Sequence, residues 1–166
     1  MFQVLVFFVT LVAVNVGSFK YASSSQLGTV EFPTSSSGPA QKHFIRGVAA
    51  LHSFWYTEAI SAFEQSTIAD PDFAMGYWGL AMAHNHPLWE DQDKKSASEA
   101  LSKITGFSKL TRREQGYIHA VRLLYGDGEK HIRDKAYSKA MENIYHNSPD
   151  DLEAACFYSL SKLGVA

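Results

Sequence analysis

One cysteine, Cys156, stands alone in 166 residues, which excludes an internal disulfide framework and a cysteine-built zinc site. Neither sign of charge dominates: 15 Lys and Arg face 17 Asp and Glu, a formal net charge of −2. A chain so balanced lacks the basic stripe that grips nucleic acid, and no nucleic-acid partner is expected. No glycine-rich phosphate loop, no nucleophile elbow and no His-Glu-x-x-His helix occurs. Glycosylation through asparagine is excluded as well, since Asn147-Ser148-Pro149 lacks the hydroxyl residue at its third position. Runs alternating apolar and polar residues, the sign of a half-buried strand, are missing. What is there is 46% hydrophobic and 13% aromatic, ample for the core of one domain.

Met1 to Phe19 carries no charged side chain, and Val4 to Val9 followed by Leu11 to Val14 is apolar. This length suits the apolar region of a secretory signal peptide, with Val16-Gly17-Ser18 offering the small residues a signal peptidase accepts. Residues 1–18 are therefore expected to be a signal peptide, making the protein secreted or lumenal. An N-terminal membrane anchor is the competing reading, although Gln3, Asn15 and Gly17 shorten the stretch below the roughly 20 residues a span needs. Membrane contact would then run only through residues 1–18, if retained. Residues 19–39 contain Ala22-Ser23-Ser24-Ser25-Gln26 and Pro33-Thr34-Ser35-Ser36-Ser37-Gly38-Pro39. So much serine, glycine and proline favours a flexible linker, with Leu27, Val30 and Phe32 docking loosely at most.

Residues 40–166 read as all-α, about seven helices in stacked antiparallel hairpins. Phe44, Val48 and Leu51 recur at helical spacing, as do Ala59, Ile60 and Phe63. Asp70-Pro71-Asp72 predicts a third helix start, leading to Ala74, Tyr77, Trp78, Ala81 and Met82, with Pro87 as its stop. A weaker helix spans Asp93 to Ile104. Thr111-Arg112-Arg113-Glu114 is a capping box opening a fifth, and Gly126-Asp127-Gly128 closes it. Ile132, Ala136, Ala140 and Ile144 stripe a sixth. Ser148-Pro149-Asp150-Asp151 then repeats the acceptor–proline–acid start before Leu152, Cys156, Leu160 and Leu163. The expected units are 40–71, 72–105 and 111–148, with a terminal helix over 149–163. Cys156 is expected as a small buried apolar residue, and Pro87-Leu88-Trp89 as a hydrophobic plug closing a long turn.

Gly47, Tyr56, Ala59, Phe63 and Pro71 fall where residues 43–71 resemble one tetratricopeptide repeat. Small residues at 47 and 59 let two helices approach, and Phe63 fills the gap toward the next hairpin. His43, Arg46 and Ser66 depart from that pattern. Tyr77 and Leu80-Ala81 open a second unit, interrupted by His86-Pro87-Leu88-Trp89-Glu90-Asp91, and residues 116–149 form a degenerate third. The resemblance implies an α-solenoid whose first helices line a concave groove. Its candidate partner-binding residues are Gln41, Phe44, Val48 and His52, then Met75, Trp78, Met82, Asn85 and His86. Phe44 and Val48 replace the basic and asparagine residues of a carboxylate clamp, so a Met- and Trp-rich groove would take an apolar peptide or helix of another protein. The same stripe also serves as core between hairpins.

The expected function is therefore a non-catalytic interaction scaffold without cofactor or metal. Two alternatives remain beside it. His52, His84 and His86 with Glu90, Asp91 or Asp93 would form a metal-dependent hydrolytic site, although residues two apart on a helix diverge. The apolar terminal helix would otherwise mark the chain as a homo-oligomerisation element or the start of a longer array.

Overall fold

The computed structural model describes residues 27–165. The expected leader, 1–18, and residues 19–26 of the expected linker lie outside the described residues. Among those described, no helix is long and apolar enough to cross a membrane.

Among the described residues seven helices follow one another: α1 (Gly38–His52), α2 (Tyr56–Ala69), α3 (Ala74–Ala83), α4 (Lys94–Ser102), α5 (Arg112–Leu124), α6 (Lys130–Asn147) and α7 (Leu152–Leu163). Pro39 lies in the first turn of α1, where a missing N–H costs nothing. The capping box of α5 forms in full: the Thr111 hydroxyl takes the Glu114 N–H while the Glu114 carboxylate takes the Thr111 N–H at 2.9 Å. Asp93 and Asp151 cap α4 and α7 through the backbone N–H three residues on. Consecutive helices pack on one another from α1 to α4 and again from α5 to α7, with α3 also lying against α1 and α5.

Two helix starts differ from the sequence pattern. Asp70 does not open α3; its carbonyl and carboxylate take the N–H groups of Phe73 and Asp72 in a separate turn, and α3 begins at Ala74. Asp151 rather than Ser148 caps α7, because Ser148–Asp151 closes its own turn at 2.9 Å. In both places proline stiffens the connection instead of occupying the first helical turn.

Close approach depends on glycine at two points. A Cβ on Gly47 would come within 2.6 Å of the Phe63 ring, and one on Gly79 within 2.3 Å. The ring therefore sits between α1 and α3 with no spare room on either side.

Between α3 and α4 the chain makes a miniature antiparallel pair, β1 (Asn85–His86) with β2 (Asp91–Gln92), around a tight helical turn at Pro87–Trp89. This is the only strand pairing among the described residues. The expected plug is corrected: Leu88 and Trp89 are exposed, because the turn carries them outward while Pro87 faces inward. Cys156 is likewise exposed, on the outer side of α7.

The linker expectation is corrected over residues 27–37. Phe32 is 1% exposed and belongs to the main core, with Leu27 and Val30 packed at its edge. One large aromatic side chain gains about 1.5–3 kcal/mol on burial, and the hydrogen bonds described next hold the backbone around it.

Candidate functional site

The inner face of the helical array is built from α1, α3, α5 and α7, each of which sends one aromatic ring to the same place. Phe44, Trp78, Tyr117 and Phe157 are all buried there. Phe32 enters from outside these helices, its ring centroid 5.2 Å from Phe44, 5.6 Å from Trp78 and 5.0 Å from Tyr117. Trp78 stands perpendicular to Phe157 at 5.4 Å, the edge-to-face geometry that aromatic quadrupoles favour. The Arg113 guanidinium covers the remaining face of Phe32 at 4.1 Å from its centroid.

Side chains of the helices also hold the backbone of the incoming segment. The Gln41 amide donates to the Phe32 carbonyl at 2.8 Å, and Arg113 Nη1 donates to the Pro33 carbonyl at 3.1 Å. Thr34 bonds Gln41 through its hydroxyl. Ser35 gives both its N–H and its hydroxyl to Glu114 Oε1, each at 2.8 Å. An extended stretch is thus gripped at four consecutive residues by groups projecting from α1 and α5.

The charges beneath it are fixed in turn. Arg113 makes a two-pronged pair with Asp151, Nε to Oδ2 at 2.6 Å and Nη2 to Oδ1 at 2.8 Å, and Tyr117 donates to the same carboxylate at 3.1 Å. Burial works against ionising Asp151, but the Arg113 hydrogen bonds and charge outweigh it and hold the carboxyl below its usual range. Glu114 behaves alike: burial opposes its charge, while the donors from Ser35 and Thr111 win and lower its pKa. Burial also raises the Tyr117 phenol, assisted by the Asp151 charge, so Tyr117 remains a hydrogen-bond donor.

The residues expected to line an open groove are placed differently. Phe44, Val48, Met75, Trp78 and Met82 are buried, so the open trough is corrected: its surface is closed by Phe32 and by α7. His52 is partly covered, stacked on Phe157 and bonded to Glu153 at 2.6 Å, which joins α1 to α7. Asn85 accepts from Gln92 at 3.0 Å, and His86 pairs with Asp91 at 2.9 Å while lying on Tyr56. His84 has its pKa lowered, chiefly by burial against the pull of Asp93. The three histidines do not gather into a metal site: among the described residues no three His, Cys, Asp or Glu side chains are placed to hold an ion.

The residues missed by sequence reasoning are Phe32, Arg113, Tyr117 and Asp151. Phe32 carried one signal, as the lone aromatic beside a proline in a hydroxyl-rich stretch. Trp78 adds a last detail, because its indole Nε1 is buried with no hydrogen-bond partner among the described residues. Such an orphan costs about 1–3 kcal/mol and calls for an acceptor.

No family model, curated protein or solved structure matches the chain.

Proposed function

We propose that this protein is a non-catalytic interaction module, a tetratricopeptide-like array of helical hairpins whose inner face binds an extended segment of another protein. The observation carrying this reading is the way residues 32–35 lie on that face: one aromatic side chain among three rings and under the Arg113 guanidinium, and backbone groups gripped by Gln41, Arg113 and Glu114. Those are the components of peptide recognition, a pocket for a side chain and fixed polar groups for the main chain. The hairpin order and the Phe63 ring between Gly47 and Gly79 support the repeat-like architecture.

Selection of a random peptide library on the full chain tests this. Peptides should be selected whose binding falls at least about tenfold with Arg113→Ala, since Arg113 meets both side chain and backbone of the occupant. A library that yields nothing, or only peptides indifferent to Arg113, rejects the reading.

A second reading rests on α7, where Leu152 is 75% and Leu163 51% exposed. Self-association of the chain through that face would give concentration-dependent sedimentation that Leu152→Lys with Leu163→Lys abolishes. Sedimentation unchanged by the pair removes it.

A further inference from the structure

We infer that residues 30–36 are an internal ligand of the inner face, and that the partner displaces them with an extended segment of the pattern aromatic–proline–any–serine or threonine. The inference rests on the interaction-module reading above and narrows it to one chemistry.

Each position of the pattern follows from a contact. The aromatic ring must fill the space among Phe44, Trp78 and Tyr117 with its open face under Arg113. Proline next keeps the backbone extended and brings no N–H that would need an acceptor, while its carbonyl meets Arg113. The following residue, Thr34, is half-buried and bonds Gln41 through its hydroxyl, but the Gln41 amide holds the Phe32 carbonyl as well, so the grip of Gln41 does not rest on the side chain at this position. A serine or threonine three after the ring supplies both the N–H and the hydroxyl that Glu114 accepts; a side chain without a hydroxyl leaves half of that grip unused.

The segment differs from the rest of the core in how it is held. Of residues 28–37 only Phe32 is buried, and the hydrogen bonds fastening the stretch run to side chains, those of Gln41, Arg113 and Glu114 on the helices and that of Asp70 in the turn before α3, which takes the Ser36 hydroxyl at 3.3 Å. No helix backbone depends on it, so its release opens one pocket and leaves the seven helices paired with one another. Gly38, at φ +65° and with open space where a Cβ would stand, lies at the junction where the segment would swing away. The Trp78 ring, 5.6 Å from that of Phe32, also carries a buried N–H with no hydrogen-bond partner among the described residues; a partner segment that brings an acceptor to it gains a bond that the internal segment lacks.

Competition of this kind has a readable size. A tethered segment acts at an effective concentration of about millimolar, so a partner of equal intrinsic affinity binds weakly until the internal anchor is removed. The probe is a synthetic peptide of residues 27–37, titrated into the full chain. Phe32→Ala should bind it at least about tenfold more tightly than the unaltered chain, and adding Arg113→Ala should remove the gain. Folded Phe32→Ala that binds the peptide no better overturns the inference. Should Phe32→Ala fail to fold, amide exchange on the unaltered chain decides. The Ser35 N–H should exchange well before the core amides of α3, and faster again with about millimolar peptide present. Exchange of Ser35 only with global unfolding, unaffected by peptide, makes the segment a structural strut and overturns it too. Library peptides that need Arg113 but lack the pattern would sink this inference while leaving the interaction module standing.

Discussion

The ring of Phe63 is held between two helices at positions that carry no side chain of their own. Gly79→Ala would gain about 1 kcal/mol of helix propensity, yet its new carbon meets the ring at 2.3 Å, and Gly47 blocks retreat on the other side. The clash wins, and the variant should lose about 1–3 kcal/mol in urea unfolding followed by circular dichroism. Acid acts at another pair of residues. Glu114 and Asp151 are both held below the usual carboxyl range, so the folded chain takes up their protons later than the unfolded one. Their stabilisation is complete above about pH 5, where the unfolded carboxyls are ionised, and fades as pH drops through the lower folded values. Glu114→Gln should cost about 1–3 kcal/mol at pH 7, and its unfolding midpoint should decline less between pH 5 and pH 3 than that of the unaltered chain. An equal decline in both would reject Glu114 as a source of the acid sensitivity. Gly47 and the Thr111–Glu114 box were legible in the sequence because their signals are local. Phe32 was not, since its burial rests on partners as far along the chain as Arg113 and Glu114, and composition alone favours release.

At the scale of elements, helices whose ends carry a side-chain cap are the best specified. Thr111→Ala removes the hydroxyl that takes the Glu114 N–H and should cost about 1–2 kcal/mol, read from the same unfolding curve and set against the ~1 kcal/mol typical of a cap. The loss should exceed that of an ordinary cap, because Glu114 also holds Ser35. The seven helices followed from apolar spacing; proline-bearing turns moved the starts of α3 and α7, and α3 ends at Ala83 ahead of Pro87 while α4 ends at Ser102 rather than Ile104. The small strand pair at 85–92 was invisible for a different reason: two residues per strand are too few to show a period. Its tip and the α1–α2 turn each contain a residue in the left-handed region, Phe54 at φ +57° and Glu90 at φ +53°, and no other non-glycine residue described does so.

For the whole molecule, the decisive contacts join parts of the chain distant in sequence. His52 and Glu153 couple α1 to α7 across the inner face. His52→Ala would leave the largely buried Glu153 carboxylate without that partner, and should lower the unfolding free energy by about 1–3 kcal/mol. A change under about 0.5 kcal/mol, typical of surface substitutions, would show that the link does not hold the array closed. Apolar spacing foretold a chain of helices packed on their neighbours. It did not foretell that the face shared by α1, α3, α5 and α7 would be filled, because that depends on a segment outside the helices.

The unequal placing of the three indoles has a practical result. Trp55 is 47% and Trp89 61% exposed, whereas Trp78 is 1% exposed and touches Phe32. A collisional quencher should therefore strip the emission of the first two and spare the third. With Trp55 and Trp89 replaced by phenylalanine, the chain keeps a single tryptophan at the point where an arriving segment would have to settle, and with excitation selective for indole over the tyrosines its occupancy can be followed optically without attaching a dye.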